Sequence, residues 1–184
     1  MVYTFLISSG NIFLVLLVMP IIGLLLIFLA FFTKKKNENT KGIKQVFYAL
    51  ILIGVGIAII GASLMFEMSK PTVTVIGSGY ISIETNSILS AGNINVSSSQ
   101  IQSAFIGNVN NGNVTLAVRK DGTSLGNINT GLFSLSNNAM AYVATENNTA
   151  VFLKLKNGEY VVIGSNNTDY LAGIISKNVF NFTH

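Results

Sequence analysis

Two long apolar runs separated by a lysine-rich connector constrain this chain more than any other feature. Ile12 to Phe32 holds 21 residues without a charge, and Val46 to Phe66 holds another 21. At about 1.5 Å of rise per residue, each would form a helix of roughly 32 Å, against a bilayer hydrocarbon core of about 30 Å. The stretch between them carries Lys34, Lys35, Lys36, Lys41 and Lys44 with a single Glu38. The pattern predicts a transmembrane helical hairpin over residues 1–66, with spans at 12–32 and 46–66 and a connector at 33–45. The lipid bilayer is the first partner it implies.

The connector also explains the charge of the protein. Its five lysines and one glutamate amount to +4, which is the net charge of the whole 184-residue chain. From Lys70 onward six basic residues stand against five acidic ones, and Glu67 cancels the excess. A neutral C-terminal region has no electrostatic footprint for nucleic acid, so that partner is excluded. The high isoelectric point reports topology instead. Short Lys-rich loops stay in the cytoplasm, and the N-terminal tail has no competing charge. The connector is therefore expected in the cytoplasm, with both termini and the C-terminal domain outside. A cleaved signal peptide is not expected, because Met1–Phe32 lacks a basic n-region and its apolar run is too long.

The second span carries Gly54, Ala58 and Ala62 at every fourth position, with Gly61 seven residues after Gly54. Small residues so spaced make a ridge that another helix can approach closely. That helix is either the first span, which offers Gly23 and a bend at Pro20, or a partner's transmembrane helix. Neither span contains a charge, so no proton relay or ion path is marked.

After a linker at 67–71 the pattern changes to short β-like runs broken by Gly and Asn, over 72–184. Strands are expected at Thr72–Ile76, Tyr80–Glu84, Ile94–Ser97, Ile101–Ile106, Val114–Val118, Ala139–Thr145, Val151–Leu155 and Tyr160–Ile163. Asp121-Gly122 and Asn157-Gly158 read as turns, the latter as a type I′ hairpin. Ser165-Asn166-Asn167-Thr168-Asp169 supplies capping side chains for a final helix with Tyr170, Leu171, Ile174 and Ile175 on one face. Gly-Asn pairs recurring at 92, 107 and 126 leave a β-solenoid or sandwich as the competing architecture.

The run from Tyr80 to Phe105, the glycine-rich Gly126–Phe133 followed by Tyr142-Val143-Ala144-Thr145, and Val151–Ile163 followed by Asp169 and Leu171 together resemble the bacterial pleckstrin-homology-like (PH-like) domain family. The match covers most of 75–178 and lacks the proline usual before the final helix. The resemblance implies a bent antiparallel β-barrel closed by the C-terminal helix, often beside transmembrane segments and mostly without assigned activity. The expected class is thus a membrane-anchored α+β protein.

Chemistry finds little support. Glu84, Asp121, Glu146, Glu159 and Asp169 share no acid–base spacing, the single histidine is the terminal His184, and there is no cysteine. No enzyme, metal or cofactor is expected. Phosphoinositide binding would need a basic pocket, and Arg119-Lys120 reads as a solvated turn. Five N-x-S/T sequons, at Asn95, Asn113, Asn147, Asn166 and Asn181, are glycan acceptors if the domain is exported. With the low charge they suit an acidic exterior, such as an archaeal cell surface. The expected role is assembly or protein interaction at that surface. The alternative is an accessory subunit of a respiratory or transport complex, docked through its hairpin.

Overall fold

A computed structural model describes residues 2–7, 17–36, 41–68, 70–85 and 92–182. It is an α+β structure with two sheets and a C-terminal helix. The chain divides into two compact units, 10–69 and a β unit of 1–9 with 70–184.

The first unit is an antiparallel helix pair, α1 (Val18–Lys36) and α2 (Lys41–Met68). The lysines Lys34, Lys35 and Lys36 form the last turn of α1 and Lys41 the start of α2, so the helices absorb most of the expected connector. Lysine is a good helix former, and cations favour a helix C-terminus. Two full-length spans are not found. Among the described residues one helix, over the 23 residues Lys44–Phe66, is long and apolar enough to cross a membrane. The apolar part of α1, Val18–Phe32, is shorter. It rises only about 22 Å, and 12–16 lie outside the described residues.

The β unit begins with a strand in what the hydropathy pattern marks only as an N-terminal tail. β1 (Tyr3–Ile7) pairs antiparallel with β2 (Thr72–Gly77), setting Ile7 opposite Thr72 and Tyr3 opposite Ile76. The boundary of the first domain therefore falls after residue 9, not at residue 1. β3 (Tyr80–Glu84) and β4 (Ile94–Ser97) complete a four-stranded sheet in the order β1-β2-β3-β4. A single 3₁₀ turn, Ser98–Gln100, leads into β5 (Ile101–Asn108). The second sheet has the order β5-β9-β10-β8-β7-β6, with β6 Leu116–Leu125, β7 Ile128–Leu135, β8 Met140–Thr145, β9 Thr149–Leu155 and β10 Tyr160–Gly164. The α3 helix (Thr168–Asn178) follows, capped by the Asn167 side chain, which accepts from the Tyr170 N–H at 3.0 Å.

β10 lies at the centre of the six-stranded sheet, and all five of its residues are buried. It reads as a continuous apolar run because both faces of the sheet are covered. On one face Ile163, Val161 and Leu153 pack with Ile76, Ile81 and Val96 of the first sheet and with Leu171 and Ile175 of α3. On the other, Phe152, Val162, Val143 and Phe133 pack with Val109, from the segment joining the two sheet edges. The β10–β8 pair is parallel. The link from β8 to β9 passes close to the end of β10, where a Cβ on Gly164 would come 2.9 Å from the Thr149 carbonyl oxygen.

Three local readings change. Asp121-Gly122 is not a turn but lies within β6, beside a register shift. Gly122 (φ +112°) sits directly opposite Gly131 (φ +116°), and a Cβ on either would run into the other strand's backbone. The hairpin turns instead at Gly126-Asn127, between paired Leu125 and Ile128. Asn157-Gly158 does turn a hairpin, but only Gly158 has positive φ, so type I′ is not formed. Gly158 N–H donates to Leu155 O and Leu155 N–H to Glu159 O, closing a three-residue loop. The repeated Gly-Asn pairs fall before β4, inside β5 and in a turn, three unrelated settings that leave no solenoid.

Gly131→Val should lower stability by more than about 2 kcal/mol, since both φ and backbone contact forbid a side chain. Gly126→Asn, in open space at φ +58°, should change little because Asn tolerates the left-handed region. Thermal unfolding of the two variants in detergent, followed by circular dichroism, measures the difference.

Candidate functional site

The expected small-residue ridge is engaged within the helix pair. A Cβ on Gly23 would lie 2.6 Å from the Gly54 carbonyl oxygen and 2.8 Å from the Ala58 nitrogen. One on Gly54 would meet the Gly23 carbonyl oxygen and Ile27 Cγ1, each at 2.8 Å. One on Gly61 would meet Pro20 Cδ at 2.8 Å. Backbones this close gain dispersion contacts that larger residues would prevent. Nearer the connector, Phe31 and Phe47 meet edge to face at 5.6 Å. Ala62 is exposed and takes no part in this seam.

The outward surface of the pair is apolar on many sides. Leu52 is 76% exposed and Phe66 68%, with Leu24, Phe28 and Ile59 similarly open. Only 11% of the apolar window of α2 is buried. A core helix of a water-soluble protein buries such a face, and within the helix pair this one stays open.

The carboxylates of the β unit are dispersed: Glu84 ends β3, Asp121 lies in β6, Glu146 and Glu159 in loops and Asp169 in the first turn of α3. Among the described residues no group of three or more His, Cys, Asp or Glu could hold a metal ion. Its carboxylates serve local geometry: a Glu146 oxygen accepts from the Asn166 N–H at 3.1 Å, and Glu159 accepts from Asn157 Nδ2 at 2.8 Å. Burial, and secondarily the Glu159 carboxylate, raise the Tyr142 phenol above its ordinary pKa. Arg119 and Lys120 are exposed on β6, an outer strand of the second sheet. Of the sequon asparagines, Asn95, Asn113, Asn166 and Asn181 are exposed and Asn147 is half-buried. They lie on a strand, in three different loops and after α3, and do not converge. Lys44 is exposed on α2.

A concave site missed by the sequence reading lies between β1 and α3. Tyr3, Tyr170, Gly173, Ile174, Lys177 and Asn178 line a groove of about 280 Å³. The helical residues fall on one stripe at spacings of three and four. The sequence did carry a signal for its other wall. Tyr3, Phe5 and Ile7 alternate with Val2, Thr4 and Leu6 before Ser8-Ser9-Gly10, a strand pattern obscured by the apolar run beyond it.

No family model, curated protein or solved structure matches the chain.

The glycine seam predicts unequal responses to bulk. Gly54→Leu should destabilise the helix pair by about 1–3 kcal/mol through overpacking, whereas Ala62→Leu on the exposed face should be tolerated. Detergent-titrated unfolding of the two variants, monitored by helical circular dichroism, provides the comparison.

Proposed function

We propose that this chain is a non-enzymatic, two-pass membrane protein whose helix pair anchors an extracytoplasmic β domain for assembly or protein interaction at the cell surface. The observation that carries the anchor reading is the β1–β2 register. Ile7 and Thr72 are opposed in one sheet, so the chain between them leaves and returns to the same place. A bilayer crossed within such an excursion is crossed an even number of times. If α2 crosses, a return crossing is needed, and the other apolar helix between Ile7 and Thr72 is α1. The uncharged residues 12–17 ahead of it offer the missing length in sequence.

The side is argued from charge alone. Five lysines in or beside the bend favour a cytoplasmic bend, with the β unit outside. The family reading for the β unit remains PH-like, supported by two sheets sharing a core with a C-terminal helix. The parallel β8–β10 pair is its departure from a wholly antiparallel barrel. Docking to a larger complex through the small ridge has less support, because Gly54 and Gly61 already face α1.

Single-cysteine labelling in intact cells tests this directly, since the chain has no cysteine of its own. Cysteines at Val2 and Asn113 should react with a membrane-impermeant maleimide, and one at Asn37 only after permeabilisation. Labelling of Val2 and Asn113 from opposite sides would refute the two-pass reading. Labelling of both only after permeabilisation would reverse the orientation.

A further inference from the structure

Gly173 is a glycine without a reason inside its own chain. It lies in the middle of α3, where glycine costs about 1 kcal/mol relative to alanine. Its φ is not in the left-handed region, and a Cβ there would meet nothing within 4 Å. Every other described glycine of the β unit either takes a positive φ or meets a neighbouring atom within that distance. A Cβ at 173 would project into the groove beside β1. What the glycine keeps open is the floor of that groove.

The other wall of the groove is an edge strand built unlike the other edges. β6 has two register shifts and carries Arg119 and Lys120, β5 has a shift at Ile101/Ser103, and β4 has only four residues. Bulges, charges and brevity are the usual devices that stop edge-to-edge pairing. β1 pairs with β2 over five residues without a shift, and residues 1–10 contain no proline and no side-chain charge. Among the described residues no strand lies on its outer side. On the face away from the core Val2 and Leu6 are each 60% exposed. On the opposite face Tyr3 and Phe5 pack against the core that α3 covers.

We propose that a second copy of this chain adds its own β1 to this edge, antiparallel and about a two-fold axis, with its aromatic side chains seated over Gly173. An added strand continues the sheet, so its Tyr3 and Phe5 lie on the same face as those of the first copy, above the Tyr170–Lys177 stripe of α3. The groove, of about 280 Å³, has room for an aromatic side chain. An uncharged edge meets its own copy without like-charge repulsion, whereas a charged strand would find no counter-charge on β1. Five paired residues fall short of the roughly 1,200 Å² that stable soluble interfaces bury, so the pairing depends on anchors that confine both copies to one bilayer. It thus rests on the membrane reading above and names the partner in the assembly; it does not depend on which side the domain occupies.

The test uses the full chain in phosphatidylcholine vesicles, with single cysteines at Val2, Thr4 or Leu6, alone and in pairwise mixtures. Val118→Cys, on exposed β6, reports random collision. With a membrane-permeant oxidant, one β1 combination should give a disulfide-linked dimer at about ten times the Val118 yield, a contrast equivalent to a tenfold association constant. Gly173→Leu, which fills the groove and improves helix propensity, should reduce that yield about tenfold. Gly173→Ala, too small to fill it, should leave the yield unchanged. No β1 cross-link above the collision control, or a dimer that survives Gly173→Leu, overturns the proposal. Vesicle flotation separates the two readings: a chain that fails to float with lipid refutes the anchor, whereas one that floats but does not cross-link refutes only the pairing.

Discussion

Ile7 and Thr72 stand opposite each other in one sheet, and the whole helix pair is an excursion between them. That closure joins the first residues of the chain to a domain that otherwise begins some sixty residues later. Fixing a loop of such length has an entropic cost that grows only slowly with length. The antiparallel helices reduce it further by bringing the two ends of the excursion back toward each other. Burial then holds the joint: Ile7 and Ile76 both belong to the core that the first sheet shares with β9, β10 and α3. The open edge of the first sheet and the groove beside it both descend from this one pairing.

Much of the β unit was legible because its strands alternate or run continuously apolar between clear breaks. Tyr80–Glu84 and Ile94–Ser97 lie where the pattern places them, and Asn167 caps the last helix as its side-chain chemistry suggests. The misses share a cause. β1 was hidden because a short strand adjoining a long apolar run has no contrast in hydropathy. β7 was hidden because Gly126 and Gly131 look like loop residues, although one makes a tight turn and the other allows two backbones to touch. Asp121-Gly122 misled for the same reason. A glycine's role depends on what lies across from it, and that is not written locally. The candidate site was largely illegible, since β1 and α3 are more than 160 residues apart and Gly173 means nothing until its surroundings are known to be empty.

Four of the helical glycines divide between two uses. In the helix pair, Gly23, Gly54 and Gly61 let backbones approach each other, so their smallness is spent inside the chain. In α3, Gly173 leaves a space unfilled. The same residue type therefore marks a completed contact in one unit and an awaited one in the other. Lys177 at the groove and the uncharged β1 beside it give that awaited contact an apolar centre and a polar rim, the usual build of an interface.

Asparagine amides close most of the β unit's loops. Asn93 accepts from the Thr85 N–H, Asn108 from the N–H groups of Asn110 and Asn111, Asn137 from Ala139, Asn157 from Glu159 and Asn167 from Tyr170. Glu146, accepting from Asn166, is a charged exception. Dissolved ions screen interactions between exposed charges within about 10 Å at 0.1 M and 3 Å at 1 M, but a neutral amide in contact with its donor has little charge to screen. Loops held this way depend little on charges that salt would screen. With six basic against five acidic residues from Lys70 onward, the β unit also carries little net charge, which leaves little self-repulsion for salt to relieve.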